Sequence, residues 1–330
     1  MAGLKDVAEK AGCSIRTVAR ALNDNGYVHA ATRERIVRIA KELDYRPNRF
    51  ARSLRMRKSC ELAVAAWSTD ELHVAKVAGF EQVARRAGFF VSVYFSKGPA
   101  GAAELQGVLG ELLPHRPAGV VFFPTNAAVA RHCARHLGHE HTPYLFFDTA
   151  LPGVDSVLLD RGQGVYESVL YLAAKGRQRI AYLGSRKDAN RLDGFHRALA
   201  QLARAPLYVE VLHGAPESTW AIGKAAAKAW ARQKPRPDAV QAYSDEMALG
   251  FLAGLHEIGA RVPEDVAVVG FDDRRAAALA WPRLTTVAQP NRELGMAAAD
   301  ILVRKIKGEP EPPDGWNRTL PTKLVVRDSA

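Results

Sequence analysis

From Cys60 onward, short apolar runs rich in β-formers alternate with helix-patterned stretches, and this alternation constrains the fold more than any other feature of the chain. The candidate strands are Leu62–Trp67, Phe89–Phe95, Gly119–Phe123, Tyr144–Asp148, Ile180–Gly184, Val209–Leu212, Ala239–Tyr243 and Val266–Phe271. Strands that stay apolar throughout are those buried on both faces. Helices between them supply the cover, so the pattern dictates parallel sheets in an α/β architecture. Two such units, each of about five or six strands, fit the length better than one large sheet. No internal repeat or low-complexity stretch interrupts them, and Pro310–Pro313 marks a loop.

Composition narrows the class. With 48% hydrophobic and 25% charged residues the chain can bury a core, which excludes disorder as its main state. Apolar runs such as Val120–Phe123 are far too short to span a membrane, and no basic-then-apolar leader follows Met1. Cys13, Cys60 and Cys133 form no CxxC pair, so neither a disulfide framework nor a structural zinc site is expected, and a reducing cytoplasm fits best. His132, Cys133, His136, His139 and His141 crowd one segment, and His132 and His136 share a helix face. A solvated basic helix has the same look, so no metal site is assigned. No GxGxxG, Walker or GxSxG motif follows a candidate strand, and adjacent Asp272 and Asp273 lack the flanking partner that a glycosidase pair requires. No catalytic residue and no cofactor is expected, and the sequon Asn317–Thr319 is read as chance.

The net charge of +11 is unevenly placed: the first sixty residues hold 14 Lys and Arg against 6 Asp and Glu. Between Tyr45 and Ser59 lie Arg46, Arg49, Arg52, Arg55, Arg57 and Lys58 with no acid among them. Such a segment is either the footprint of a polyanion binder or a solvated basic tail. Leu4, Val7, Ala8 and Ala11 make one helical stripe; Gly12 breaks it; Ser14 is placed to cap a second helix that buries Val18 and Leu22. A third helix, Thr32–Leu43, offers Ile36, Ile39, Ala40 and Leu43, and Pro47 is expected to stop it. Three small helices with this turn form a helix-turn-helix, whose second helix enters the major groove.

The string LKDVAEKAGCSIRTVARALN (Leu4–Asn23), then TRERIVRIAKELDYRPN (Thr32–Asn48) and ARSLR (Ala51–Arg55), resembles the DNA-binding domain and hinge of the LacI/GalR (lactose-repressor) family. RIAYLGS (Arg179–Ser185), NRLDGFHRAL (Asn190–Leu199), SDEMALGFLAGL (Ser244–Leu255), VPEDVAVVGFDD (Val262–Asp273) and LTTVAQP (Leu284–Pro290) resemble its effector domain, which shares its fold with periplasmic sugar-binding proteins. The resemblance covers essentially the whole chain. It implies a small all-α helix-turn-helix domain (1–47), a hinge (48–59) and a two-lobed α/β periplasmic-binding-protein-like domain (60–330). Lobe 1 would be about 61–160 plus 291–319, and lobe 2 about 161–290 plus 320–330.

Residue by residue, the resemblance implies that Ile15, Arg16 and Arg20 read base edges, arginine by bidentate bonds to guanine and isoleucine against a thymine methyl. Ser14, Thr17, Asn23, Tyr45 and Asn48 would face phosphates. Ala51 and Leu54 would sit in the minor groove, with Leu54 as the wedge that unstacks a base step. The implied effector pocket comprises Asp148, Arg191, Trp220, Ser244, Asp245, Asp272 and Gln289, a set whose carboxylates and guanidinium suit a polyol.

Some positions depart from the family pattern. His29 stands where a serine usually caps the third helix, and Ala19 replaces a common serine. STDELHV (Ser68–Val74) replaces an asparagine-proline-phenylalanine turn, Thr149 replaces an arginine, and Arg161 replaces a frequent asparagine. The expected function is therefore that of a cytoplasmic, nucleoid-associated homodimer that binds a palindromic operator, most simply as a repressor, under a sugar-like effector. A purine-like ligand or a protein partner would also fit, as would a sugar-binding protein that regulates no DNA.

Overall fold

A computed structural model describes residues 2–23, 26–45, 59–95, 102–123, 127–139, 141–185, 188–209 and 218–330. The side chains of Asn23 and His139, and the whole of Asn48, Ala51 and Leu54, lie outside the described residues. The chain divides into two compact units, Met1–Cys60 and Glu61–Ala330.

In the first unit, α1 (Leu4–Ala11) ends at Gly12, whose φ of 59° is left-handed, so that the Cys13 amide closes on the Ala8 carbonyl at 3.1 Å. A side chain at that φ would be strained, which is why the turn needs glycine. Helix α2 (Ile15–Asn23) starts where the Ser14 hydroxyl accepts the Thr17 amide at 3.1 Å. Helix α3 runs Ala30–Glu42, and His29 at its N-cap makes no side-chain capping bond. Pro47 does not stop this helix, contrary to expectation. The end comes earlier, where Asp44 turns left-handed at φ 44° and the Tyr45 amide bonds the Ala40 carbonyl at 2.8 Å. The three helices bury Val7, Ala8, Ala11, Val18, Ala21, Ile36, Ile39 and Ala40 against one another.

The second unit contains two six-stranded sheets among the described residues. The first comprises β1 (Glu61–Ala66), β2 (Phe90–Phe95), β3 (Gly119–Phe122), β4 (Tyr144–Phe147), β5 (Ser156–Asp160) and β11 (Arg318–Pro321), in the order β11-β5-β4-β3-β1-β2. The second comprises β6 (Ile180–Leu183), β7 (Leu207–Tyr208), β8 (Ala239–Ala242), β9 (Ala267–Asp272), β10 (Thr285–Ala288) and β12 (Lys323–Val325), in the order β12-β10-β9-β8-β6-β7. All pairings are parallel except β10 with β12. The expected strand Val209–Leu212 is instead Leu207–Tyr208, and Val209 follows it with an amide bond to the Tyr182 carbonyl.

Helices cover both faces of each sheet, as continuous apolar strands require. On the first sheet these are α4 (Glu71–Arg86), α5 (Ala102–Leu112), α6 (Ala127–His139) and α12 (Asn291–Ile306); on the second, α7 (Arg161–Ala174), α8 (Ala189–Gln201), α9 (Thr219–Arg232), α10 (Asp245–Glu257) and α11 (Arg275–Leu279). The chain passes between lobes three times: from β5 into α7, from β10 into α12, and from β11 into β12. Helices α4 and α12 meet backbone to backbone. A Cβ added at Gly295 would lie 1.9 Å from the Lys76 carbonyl oxygen. That contact fixes the height of α4, and with it every side chain that α4 sends toward the seam.

Candidate functional site

Two surfaces hold the residues singled out from the sequence. On α2, burial of Val18 turns the opposite face outward, leaving Ile15 47% exposed and Arg16 and Arg20 exposed beside it. One exposed apolar side chain is ordinary on a protein surface, and what distinguishes Ile15 is its place beside Arg16 on the outward face of α2. Ser14 and Thr17 pair with each other, Oγ to Oγ1, at 2.9 Å. Tyr45 is half-buried against the helix core.

The other surface lies at the C-terminal ends of the parallel strands, where crevices form in open α/β sheets. Asp148 follows β4 and Asp272 ends β9, and both have positive φ, 56° and 124°. Neither is glycine, so each backbone carries strain of about 1–3 kcal/mol, the kind held in place at functional sites. Asp148 meets Lys76 Nζ at 3.1 Å and Arg161 Nη2 at 2.9 Å. Burial alone would raise its pKa; the two cations outweigh burial and hold the carboxyl below its ordinary value.

Arg191 is 7% exposed and lies between the rings of Tyr243 and Phe271, its Cζ 4.5 and 4.2 Å from their centroids. Its Nη1 donates to Asp188 at 2.5 Å, and its Nη2 stands 3.9 Å from Asp272. Gln289 donates to Asp272 and accepts from Arg161 at 3.5 Å. Burial raises the pKa of Asp272 despite Arg191 and Arg274 nearby. These contacts bring Asp148, Arg191, Asp272 and Gln289 into one cluster across the seam.

The other expected pocket residues are engaged differently. Ser244 caps α10, accepting the Met247 amide at 3.3 Å. Asp245 is fully buried; it accepts from Thr286 Oγ1 at 2.5 Å and from the Arg274 amide at 2.6 Å, and burial pushes its pKa up to about 7. Trp220 is 40% exposed on α9 with Lys224 Nζ 5.5 Å above its ring, and the ion pairs of the cluster do not include it.

Sequence reasoning missed Lys76, Arg274, Asp70 and Asp188. STDELHV, noted only as a departure, forms the lobe-1 side of the seam. Asp70 caps α4 and accepts from His73 Nδ1 at 2.8 Å; although burial opposes it, this bonding and Arg274 hold its carboxyl well below the usual range. Arg274 reaches from lobe 2 to Asp70 at 3.5 Å and Glu71 at 3.6 Å. A cavity of about 410 Å³ opens at this seam, with Glu71, Leu72, Asp272, Gln289 and Asn291 in its wall. Along the same lobe-1 edge, Trp67, His73, Phe123 and Phe147 stack in series at 4.8, 5.1 and 4.3 Å. A lysine inside the apolar pattern HVAKVAGF was the available signal for Lys76.

Several buried polar atoms here make no hydrogen bond: Asp148 Oδ1, Arg191 Nε, Asn291 Oδ1, and Arg274 Nε, which stands 3.6 Å from Asp272 Oδ2. Buried polar groups are nearly always bonded to protein, water or another partner, so these atoms have unused bonding capacity at the seam. On the outer helix α6, His132 and His136 stack at 4.3 Å, with His136 Nδ1 3.0 Å from the His132 carbonyl. Among the described residues no group of three or more metal-ligating side chains forms, and no helix is long and apolar enough to cross a membrane.

Comparison with known proteins gives two matches to family models. Residues 3–48 match that of the bacterial regulatory proteins, lacI family, and residues 169–330 that of the periplasmic binding protein-like domain. The chain is 29% identical to the HTH-type transcriptional repressor PurR of Vibrio vulnificus, covering 100% of this chain and 98% of that protein. It is 32% identical to the ribose operon repressor of Bacillus subtilis, covering 94% and 93%. Its structure is similar to that of the lac repressor dimer bound to operator and the anti-inducer ONPF, with a TM-score of 0.85, 29% identity, and coverage of 99% and 98%.

Proposed function

Because the chain belongs to the LacI family of bacterial DNA-binding transcription regulators, we propose that it is a repressor that grips a near-palindromic operator as a homodimer and is switched by a small polyol, a sugar or sugar derivative, at the lobe seam. The observation that carries this reading is the cluster of Asp148, Arg191, Asp272 and Gln289 at the strand ends, with unpartnered buried donors and acceptors side by side. Hydroxyl groups both donate and accept, so a polyol satisfies such a mixture. A flat heteroaromatic ligand is less well served, because the Tyr243 and Phe271 faces are already occupied by the Arg191 guanidinium.

On the DNA side, Ile15, Arg16 and Arg20 read base edges, and Ser14, Thr17, Asn23, Tyr45 and Asn48 set the register on phosphates. Ala51 and Leu54 take the minor groove. The effector acts by its differential affinity for two lobe arrangements, which it can shift only to that extent. Dimerisation is supported by an apolar edge on lobe 2: Trp281 is 92% exposed, Leu279 75% and Ile258 39%. Two-fold symmetry also matches a palindromic site.

A gel shift on the chain's own upstream DNA against random fragments tests the reading. Specific binding should fall with salt by about 0.9 log units per log unit for each phosphate neutralised. Leu54→Ala should weaken specific binding more than non-specific binding. Equal affinity for every fragment, with or without small molecules, overturns the proposal.

A further inference from the structure

We propose that a basic groove on lobe 2, outside the seam, is a docking surface for an acidic amphipathic helix of a partner protein.

The groove is a cavity of about 750 Å³ between α9, the end of α10 and the edge strand β7. Lys224, Lys228 and Arg232 stand in its wall at intervals of four along α9, so they form one row with roughly 5–6 Å between successive Cβ atoms. Lys224 is paired, its Nζ 2.6 Å from Glu257. Lys228 and Arg232 are exposed and make no ion pair among the described residues. Like charges four apart weaken a helix slightly, yet α9 carries three in succession. Arg232 in the last turn is favoured by the helix dipole; Lys228 in the middle is not. An acidic partner would offset that repulsion.

A second row fixes the shape of the occupant. Ala221, Ala225 and Ala229 repeat at the same interval in the same wall. Side chains that stop at Cβ let a second helix axis approach closely. The surface is therefore low along the alanines and positively charged beside them. An amphipathic helix with acids four apart matches both rows at once, because it has the pitch of α9 itself. A phosphate backbone matches less well: the alanines offer it no bond, and Glu257 in the wall repels it.

The rows are also held rigidly. A Cβ added at Gly250 would lie 1.9 Å from the Trp220 carbonyl oxygen, and one at Gly254 2.3 Å from that of Lys224, so α9 and α10 touch backbone to backbone. Trp230, fully buried beneath the same helix, donates to the Pro237 carbonyl at 2.8 Å. A groove built on fixed elements loses little freedom when it is filled.

The test is a fluorescence-anisotropy titration of the full chain with a labelled synthetic helix that carries Glu at every fourth position of one row and Ala and Leu on the next. A scrambled peptide of the same composition is the control. The patterned helix should bind, more weakly as salt rises, and the scrambled one should bind much less. Lys228→Glu together with Arg232→Glu should weaken binding by about tenfold or more, since facing like charges are costly. Ala225→Trp should do the same with every charge intact. All three positions lie on the outer side of α9, and an unchanged melting temperature checks that the variants fold. Equal binding of the scrambled peptide, no binding of either, or variants that bind as the parent does would overturn the proposal. It also fails if the charge reversals weaken random-sequence duplex DNA and leave the peptide unaffected, which assigns the row to nucleic acid. Self-association of the parent that the reversals abolish would assign the groove to a second copy of this chain, and that too overturns it.

Discussion

Arg274 and Asp70, 204 positions apart in the chain, meet at 3.5 Å and tie the two lobes together. Glu71 joins the same guanidinium at 3.6 Å, so the start of α4 is clasped by the loop that follows β9. The clasp borders the cavity at the seam, which Glu71 helps to line. The two lobes of this chain are therefore held together in part by its own ion pairs.

Arg274→Ala should loosen the seam without unfolding it. The partners are about a quarter to a half exposed, so the pairs contribute at most about 1 kcal/mol after solvent screening. The melting temperature should fall by only a few degrees, while amide exchange in the first turn of α4 accelerates. Unchanged exchange there would mean that the clasp is incidental.

Asp245 gives the second unit a pH dependence of definite sign. Its pKa is raised from 3.8 to about 7 in the folded chain, first by burial, with Asp272 and Asp273 adding to it. The folded state therefore binds the proton more tightly than the unfolded state. Its favourable contribution is complete below about pH 4 and is lost as pH rises toward and past 7. Asp245→Asn can donate to Thr286 and still accept the Arg274 amide. It should raise the melting temperature above pH 7 and lose that advantage by pH 4; an equal effect at both ends would contradict the assignment.

The N-terminal unit should unfold on its own. Ile36 is fully buried in a core of eight described residues, and Ile36→Ala costs about 2–5 kcal/mol. A unit this small has little more than that to lose. Operator binding should vanish while the melting transition of residues 61–330 stays in place, which differential scanning calorimetry resolves as one lost transition beside one unchanged.

Arg16→Ala and Arg20→Ala separate base reading from charge. A bidentate contact to a base contributes about 1–3 kcal/mol of discrimination, whereas a phosphate contact weakens all sequences alike. Binding to a library of half-site variants should lose preference at one position per arginine. A uniform loss across the library would reassign that arginine to the backbone.

Much of the fold was legible because its signals are local. Gly12 and Ser14 punctuate the first two helices by backbone and capping chemistry that needs no tertiary context. The apolar runs of β1, β3, β8 and β9 are buried on both faces, and a sequence shows such burial directly. Strands β5, β10, β11 and β12 escaped notice since each is only three to five residues long; β11 and β12 are also partly exposed, and they pair with β5 and β10 from far away in the chain. Helix α3 ends at Glu42, within one residue of the expected Leu43, but the left-handed turn at Asp44 ends it before Pro47 is reached.

The sequence by itself determined the class of the molecule: a basic front module with an outward-facing isoleucine and arginines, and a doubly covered parallel-sheet body with carboxylates near strand ends. Periodicity and turn chemistry act over a few residues, so they survive in one dimension. Tertiary structure alone decided which charges meet. Lys76, Arg161 and Asp148 come from three separate elements, as do Asp70 and Arg274, and each pairing depends on how two sheets face each other across three crossings. Electrostatic partnership is set by distance in space and by the exclusion of water, and neither quantity is written along the chain.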